Sequence, residues 1–331
     1  MKGGWSDGVK RESVYLSALM PYKETVTVME RLGQVYLSKS NVWRESQEYG
    51  KKLQSVEERE RIAAMIPPAQ WHTTTTACEP IRMGVSMDGG MIHIRGEGWK
   101  ELKVGSVFKV SMRPGVDQES QEPVDIPAAD TLTYTAHLGG PEVFGTTVWA
   151  EARRRAWWQA VETQVVADGA PWIWNLTRLH FGESVQIVDW YHAKSHLNTA
   201  ARLLYGSEEV AMRRWLKVQE QLLYQGHARR IGNNLLIEAK NHQAIADELR
   251  AEANYFLKHQ RRMQYMAFRE EGWVMGSGMM ESGIKQYKMR FSGPGMRWSR
   301  SGAERLIPIR SAVLSRRFDQ RWEQIRNLPP N

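Results

Sequence analysis

Residues 81–94 read IRMGVSMDGGMIHI, and at this stretch the hydrophobic pattern of the chain changes from helical to extended. From here onward, short runs rich in β-branched and apolar residues alternate with turn signals, which is typical of strands. Residues 99–112 form a second such run and residues 131–140 a third, with an acidic, proline-containing loop predicted over residues 114–130. Three strands joined by loops predict an antiparallel beginning to a sheet.

The pattern after the third strand alternates between helix and strand. A helix containing Trp149 and Arg153 precedes a buried-type strand at residues 163–171, and a helix at 172–181 precedes a last strand at 184–197. This order predicts an α/β fold with a mixed sheet whose early strands are antiparallel. Residues from about 195 to 270 are predicted to be helical and inserted before the late helix that Glu281 opens.

The amino-terminal part, roughly residues 12–65, has helical periodicity. One helix is predicted to end at Gly33, and Ser38 or Ser40 is a suitable N-cap for the next. Such a pair is a candidate helix-turn-helix, although a plain helical hairpin fits the pattern too. The second helix is expected to expose four polar side chains, namely Lys39, Asn41, Arg44 and Gln47.

The predicted organisation therefore has five parts. They are a helical segment (1–66), a linker (67–80), the first part of the α/β core (81–194), the helical insertion (195–270) and the last part of the core with basic helices (271–326).

The composition is that of a globular chain with an anionic partner. The net charge is +8 and the isoelectric point is about 9.5, which favours nucleic acid, with acidic membrane surfaces as the alternative. No apolar run is long enough to span a bilayer, and the start lacks a secretory signal. Cys78 is the one cysteine, which excludes an intrachain disulfide and a cysteine-based zinc site. The cytoplasm is the expected location.

Three acidic residues stand out by position. Asp88 is predicted to end the first strand and Asp168 a later one, and each is followed by a glycine that permits a sharp turn. If these strands are parallel neighbours, both carboxylates reach one sheet edge. Glu281 opens the late helix, with Lys285 and Lys288 on the same face. Taken singly, each aspartate fits an ordinary turn and Glu281 fits a helix-start acid.

A core-facing stripe is predicted beside this charged face. Its members are Met280, Ile284, Tyr287 and Phe291. Three carboxylates brought to one place would suit two Mg²⁺ or Mn²⁺ ions, which prefer oxygen ligands and can catalyse in-line phosphoryl displacement.

The carboxyl-terminal region is strongly basic. From Lys285 to Arg326 there are eleven lysines and arginines against three acids. Such an excess suits contact with DNA phosphates. The candidates for DNA contact are Lys285, Lys288, Arg290, Arg297 and Arg300, with Lys39 and Arg44 in the amino-terminal segment. Trp298, between Arg297 and Arg300, is expected to be exposed and to stack on bases.

The sequence resembles the DDE transposases of bacterial insertion sequences, in particular the Kra-type group, which shares features with Mutator-like transposases. The motifs that carry the resemblance are SMDGG, GEGWKELKVGSVF, VADGAPWIW, VDWYHAKSHL, YG, GSGMMESGIKQ and GMRWSRSGAERLIPIRSAVLS. They occur in the family's order over about residues 81–322. Many family members are longer, with an amino-terminal DNA-binding region that can include cysteines, so the expectation here is a shortened copy or an internal start.

The resemblance implies a ribonuclease-H-like catalytic core with a helical insertion, preceded by the small helical segment. The family's three metal-binding acids fall on Asp88, Asp168 and Glu281. The family's motif on the strand after the second acid falls on Asp189 and His192, so both are implied to line the site, with His192 assisting near the scissile phosphate. A strand-end histidine without a catalytic role is the alternative for His192.

The implied activity is metal-dependent cleavage of DNA at transposon ends and transfer of the freed 3′-hydroxyl into target DNA. The implied partners are DNA and further copies of the chain, as a homodimer or larger assembly in the prokaryotic cytoplasm at the nucleoid, with no membrane. Two alternatives remain open: a catalytically inactive, transposase-derived DNA-binding protein, and a ribonuclease-H-like nuclease without strand transfer. The three acids argue against the first, and the helical block with the basic tail argues against the second.

Overall fold

A computed structural model describes residues 5–66, 81–116, 122–293 and 296–328. The linker predicted over residues 67–80 lies outside the described residues, and so does the centre of the loop predicted over 114–130.

Five strands of the described part of the chain form one mixed sheet. They are β1 (Arg82–Ile94), β2 (Gly98–Val116), β3 (Pro123–Leu138), β4 (Glu162–Ala167) and β5 (Val185–Val188). Their spatial order is β3-β2-β1-β4-β5, with antiparallel pairing from β1 to β3 and parallel pairing of β4 with both β1 and β5. The predicted α/β class and the antiparallel beginning of the sheet are confirmed.

The β2–β3 hairpin is longer than the sequence predicts. Residues 111–116 and 123–130, assigned mostly to the acidic loop, continue the two strands, with Val116 opposite Pro123. Among the described residues, β2 pairs with β3 alone beyond Val110, so this part of the hairpin is a two-stranded arm. Proline is tolerated where a strand is paired on one side only, which is why the prolines do not end these strands.

Thirteen α-helices lie within the described residues. They are α1 (Asp7–Leu19), α2 (Tyr22–Gly33), α3 (Lys39–Ala64), α4 (Pro141–Arg154), α5 (Pro171–His180), α6 (Trp190–Tyr205), α7 (Glu209–Tyr224), α8 (Ala228–Asn241), α9 (Ala246–His259), α10 (Tyr265–Glu270), α11 (Gly278–Phe291), α12 (Arg300–Leu314) and α13 (Phe318–Arg326). The insertion before α11 is helical as predicted, from α6 through α10.

The amino-terminal helices follow local sequence signals. Helix α2 ends at Gly33, and the hydroxyl oxygen of Ser38 caps α3 by accepting a hydrogen bond from the backbone N–H of Asn41 at 3.2 Å. The expected exposure of Gln47 is wrong, because its side chain is buried and donates to the carbonyl oxygen of Gly302 at 3.3 Å. Helix α3 therefore packs on α12, which explains why that polar residue faces inward.

Helices cover both faces of the sheet. Because side chains alternate along a strand, Val85 and Met87 of β1 face a core shared with α4, α5 and the helical insertion. Ile92 and Ile94 of the same strand face a second core shared with α11, α12 and the amino-terminal helices. Leu53 of α3 lies in this second core, so the amino-terminal segment contributes to it directly.

No helix of the described residues combines the length and the apolar character needed to cross a bilayer.

Candidate active site

Asp88 and Asp168 occupy equivalent positions on neighbouring parallel strands. Arg82 lies opposite Glu162 in the β1–β4 pairing, and each aspartate follows its strand's residue of this pair by six positions. The β1–β4 pairing ends at Val85 and Val165, so both aspartates lie just past the paired segment, where parallel sheets leave space for a site. The condition of the sequence prediction is met, since the two strands are parallel neighbours.

The prediction that β1 ends at Asp88 is wrong. The strand continues to Ile94 because β2 pairs with it throughout, with Asp88 opposite Val104 and Gly89 opposite Lys103. The space beside Asp88 therefore arises because β4 ends at Ala167, while β1 continues to Ile94. Asp168 does follow the end of its strand, and its Oδ1 accepts a hydrogen bond from the backbone N–H of Ala170 at 2.8 Å.

Charged groups converge on the carboxylate of Asp88. Its partial burial raises its pKa, and the negative charge of Asp168 raises it further. A 2.6 Å hydrogen bond from the backbone N–H of Gly89 and the charges of His192 and Lys288 act in the opposite direction. Asp168, His192 and Lys288 therefore lie near enough to Asp88 for their charges to affect its ionisation.

Helix α11 covers the Asp88 face of β1. A Cβ atom added at Gly90 would lie 3.2 Å from Ile284 Cγ2 and 3.3 Å from Lys288 Cε. Because Asp88 and Gly90 are two residues apart on a strand, they face the same side of the sheet. Lys288 has no ion-pair partner within the described residues, so its ammonium group remains available to an anion.

Glu281 lies in the first turn of α11, as predicted, and its side chain is exposed. Its carboxylate forms an ion pair with Lys285 at 3.6 Å. Two contacts fix α11 on either side of Glu281 in the sequence. The carbonyl oxygen of Met279 accepts a 3.0 Å hydrogen bond from the Tyr134 hydroxyl, and the side chain of Ile284 packs against β1. The predicted core stripe is confirmed, since all four members are buried: Met280, Ile284, Tyr287 and Phe291.

The described residues contain no group of three or more histidine, cysteine, aspartate or glutamate side chains arranged around one metal position. Asp88 and Asp168, whose charges interact, offer carboxylate oxygens only. Carboxylate oxygens are the ligands that Mg²⁺ and Mn²⁺ prefer, and a cation would offset the two effects that raise the pKa of Asp88, first its burial and then the charge of Asp168. The chemistry of this pair therefore fits such an ion.

Asp189 and His192 lie at the start of α6, and the prediction of a strand through both is wrong. The strand β5 ends at Val188, because Asp189 adopts an N-cap position and its Oδ1 accepts from the backbone N–H of His192 at 2.7 Å. The other carboxylate oxygen of Asp189 accepts from the backbone N–H of Ser277. The buried Asp189 thus joins the end of β5 to the start of α11.

Helix α9 of the insertion adds side chains that the sequence analysis does not identify. Tyr255 and His259 pack against Gly169, where an added Cβ would lie 2.4 Å from Tyr255 Cε2 and 3.2 Å from His259 Nε2. Burial raises the pKa of Tyr255 well above its usual range, and the charges of Asp168 and Asp189 raise it further. In the sequence, these two residues are marked only by their spacing of four positions on one helix. That spacing occurs on every helix face, so it does not indicate a site.

The hydroxyl of Tyr255 is buried and has no hydrogen-bond partner within the described residues. Its ring stacks on His196, with centroids 3.5 Å apart, and His196 Nδ1 lies 2.7 Å from Glu252 Oε2. Burial lowers the pKa of His259 to about 4, with further lowering from the charge of Arg262, so this imidazole is neutral near pH 7.

Two predicted DNA contacts are buried, which corrects the expectation for both. Arg290 is 1% exposed, its Nε donates to the carbonyl oxygen of Ser17 at 2.7 Å, and its guanidinium lies 4.8 Å from the Trp298 ring centroid. Trp298 is 8% exposed, and its Nε1 donates to the carbonyl oxygen of Phe291 at 3.0 Å. Both side chains hold α11 to neighbouring elements through these two hydrogen bonds, while one Nη of Arg290 is buried without a hydrogen-bond partner within the described residues.

Other cations of the basic tail are also engaged by acids. Arg300 pairs with Glu97 and with Glu304, and Arg317 and Arg321 pair with acids on other helices. Four of the predicted contacts keep exposed side chains on this surface or on α3: Lys288, Arg297, Lys39 and Arg44. Lys285 is exposed as well, next to Glu281.

Comparison of the sequence with protein-family models gives no match, and comparison with curated proteins gives no significant match.

Proposed function

We propose that this protein is a DDE transposase that cleaves DNA at transposon ends and joins the freed 3′ end to target DNA. The observation that carries the proposal is the equivalent register of Asp88 and Asp168 on adjacent parallel strands, with His192 and Lys288 beside them. The strand order β3-β2-β1-β4-β5, with the first three strands antiparallel, is compatible with the ribonuclease-H-like core that the sequence resemblance implies.

Asp88 and Asp168 are the proposed metal-binding pair, with Glu281 as the third carboxylate. Glu281 is exposed at the start of α11 and is held by an ion pair with Lys285 that spans 3.6 Å. An exposed ion pair of this length contributes little free energy, so Glu281 can exchange Lys285 for another cation at low cost. The position of α11, whose lysine at 288 acts on Asp88, supports this assignment.

Two Mg²⁺ or Mn²⁺ ions, when bound, would supply activation of the attacking oxygen and stabilisation of the leaving oxygen. The protein's own groups act around the phosphate. Lys288 offers an unpaired cation to the scissile phosphate or its neighbour, and His192, whose charge also acts on Asp88, is a candidate proton donor or acceptor.

The two reactions of the proposed activity are one class of displacement. In the first, a water oxygen forms a bond to phosphorus and the P–O3′ bond breaks, leaving a 3′-hydroxyl on the transposon end. In the second, that hydroxyl oxygen forms a bond to a target phosphorus and the P–O3′ bond of the target breaks. One set of carboxylates can serve both because the nucleophile alone differs.

DNA is the proposed partner, bound first through phosphates. The net charge of +8 and the exposed cations Lys288 and Arg297 near the site favour a polyanion. A homodimer or larger assembly follows from the chemistry, because the two ends of an element have to be cut and joined together.

The test is a cleavage and joining assay with DNA that flanks the gene on both sides. The purified protein is expected to nick this DNA when Mg²⁺ or Mn²⁺ is present and to join a pre-cut 3′ end to a plasmid. Nicking without joining would support the ribonuclease-H-like nuclease instead. Specific binding of the DNA without nicking under any divalent ion would support the inactive DNA-binding protein.

A further inference from the structure

A cleft of about 440 Å³ opens where the β1–β2 turn meets the end of α11. Its lining includes three ring-bearing residues, His93, Trp99 and Phe291, and two arginines, Arg95 and Arg297. The cleft combines an aromatic surface with positive charge, and it is separate from the carboxylates of the candidate active site.

The indole of Trp99 is unusually available. It is 62% exposed, although tryptophan is mostly buried in folded proteins. The His93 ring meets it edge to face, with centroids 5.7 Å apart and an interplanar angle of 85°. This contact supports the indole from one side, so the ring can offer a face to a planar ligand without first being ordered by it.

The arginines of the cleft differ from their neighbour Arg300. Arg300 is occupied by Glu97 and Glu304. Arg95 and Arg297 are exposed and have no ion-pair partner within the described residues. Two unpaired guanidinium groups beside an exposed indole are suited to an anion that also carries a flat ring, which is the chemistry of a nucleotide.

Backbone contacts tie the cleft to the helix that covers Asp88. The backbone N–H of Arg95 donates to the carbonyl oxygen of Trp298 at 2.8 Å, and Ser292 Oγ donates to the Met91 carbonyl at 3.5 Å. Ser292 follows Lys288 by one helical turn. A DNA strand whose phosphate contacts Lys288 would therefore be directed along α11 toward the cleft.

We propose that this cleft binds an unpaired nucleotide of a DNA strand, with the base stacked on Trp99 and the adjoining phosphates held by Arg95 and Arg297. The sequence predicts base stacking by Trp298, which is buried. We assign this role to Trp99, which lines the cleft. The inference rests on the proposed function for the identity of the natural strand, but its binding chemistry does not depend on cleavage.

The test measures binding of a fluorescein-labelled oligothymidine strand and of a matched duplex by fluorescence anisotropy, in EDTA so that no cleavage contributes. Trp99→Ala is expected to weaken single-strand binding about tenfold and duplex binding less, while Trp99→Phe retains most of the affinity. Arg95→Gln and Arg297→Gln are expected to weaken both and to lower the salt dependence. Leu179→Ala, which truncates another exposed apolar side chain, is the matched control.

Three outcomes overturn the inference. One is unchanged single-strand binding by a folded Trp99→Ala protein, and another is an equal loss in the Leu179→Ala control. The third is a change of oligomeric state in Trp99→Ala, seen by analytical ultracentrifugation, with DNA binding intact; that result would assign the cleft to contact between copies. Failure of the proposed function gives a different result. If the wild-type protein does not nick DNA but its single-strand binding still requires Trp99, the proposed function is wrong and the nucleotide-binding cleft is supported.

Discussion

The carboxylate of Asp189 accepts a hydrogen bond from the backbone N–H of Ser277, across 88 residues of sequence. The same carboxylate caps α6 through the backbone N–H of His192. One buried acid thus fixes two helix starts: the one that carries His192 and the one that carries Glu281. The relative position of those two candidate site residues depends on this side chain.

Replacement of Asp189 by alanine should therefore loosen the segment before α11. We expect the free energy of unfolding to fall by about 2–4 kcal/mol, because two backbone donors lose a buried charged acceptor. Hydrogen exchange should accelerate most at residues 275–281. Asp247→Ala, which removes an exposed acid paired with Arg250, is the control and should change stability by less than about 0.5 kcal/mol. Uniform acceleration of exchange throughout the chain would contradict the local anchoring role.

Asp88→Asn and Asp168→Asn test the carboxylate pair. In EDTA, Asp88→Asn should be slightly more stable than the wild type near pH 7, since burial and Asp168 disfavour the charged form of Asp88. Mg²⁺ or Mn²⁺ should raise the Tm of the wild type and have a smaller effect on either variant. Nicking should fall at least about 100-fold, because loss of groups that merely orient metal ligands already costs about 10- to 100-fold.

The control for this pair is Asp130→Asn, which alters an exposed acid on β3 whose Oδ1 accepts from its neighbour's backbone N–H. Equal responses of the wild type and both variants to divalent ions, by differential scanning calorimetry, would remove the basis for a metal site here.

Lys288 and Arg290 are two residues apart on α11 but should respond in opposite ways to truncation. Lys288→Ala should leave the free energy of unfolding within about 0.5 kcal/mol and reduce the slope of log affinity for DNA against log salt by about 0.9. Arg290→Ala should lower stability by about 2–4 kcal/mol, because Arg290 is buried against Tyr22 and Trp298. Chemical denaturation and anisotropy titrations separate the two effects, and an unchanged stability of Arg290→Ala would contradict its structural role.

Glu57 should make the stability depend on pH between about 4.5 and 7. Burial raises its pKa from 4.5 to about 7, and the charges of Arg321 and Arg154 oppose that rise. The folded protein then binds more protons than the unfolded chain in this window, so this group's contribution falls as the pH rises through 7. Glu57→Gln should raise the free energy of unfolding at pH 8 by about 1–3 kcal/mol and have little effect at pH 4.

Glu60 lies on the same helix as Glu57, but its pKa is shifted in the opposite direction. Burial opposes its ionisation, but the hydrogen bond from Arg321 and the charge of Arg154 lower its pKa to about 2. Its contribution is present above about pH 4.5 and is lost as the pH falls toward 2. Glu60→Gln should therefore destabilise the protein at pH 7, by about 1–3 kcal/mol, and urea unfolding at several pH values measures both effects. The same sign for both variants at pH 8 would contradict these assignments.

Local signals were sufficient for much of the fold. The end of α2 at Gly33, the cap at Ser38 and the buried stripe from Met280 to Phe291 follow from turn, cap and periodicity rules. The alternation after residue 140 likewise predicts β4 and α5. These features depend on residues within a few positions of one another, so the sequence contains the information directly.

Features that depend on distant partners were decided by the tertiary structure. The strand β1 continues past Asp88 because β2 is there to pair with it, and Asp189 starts a helix because Ser277 and His192 present their N–H groups to it. Local pattern rules predict a turn after Asp88 and a strand through Asp189.

Residues 288 and 290 show the division within one helix. The sequence determined that both lie on α11 and that they point in different directions, since two positions differ by about 200° around a helix. Which cation meets solvent depended on the chain around it. Ser17 supplies a carbonyl oxygen and Tyr22 a ring face at Arg290, while β1 offers a glycine beneath Lys288. A charged side chain is buried only where its surroundings replace water, and those surroundings exist only in the folded chain.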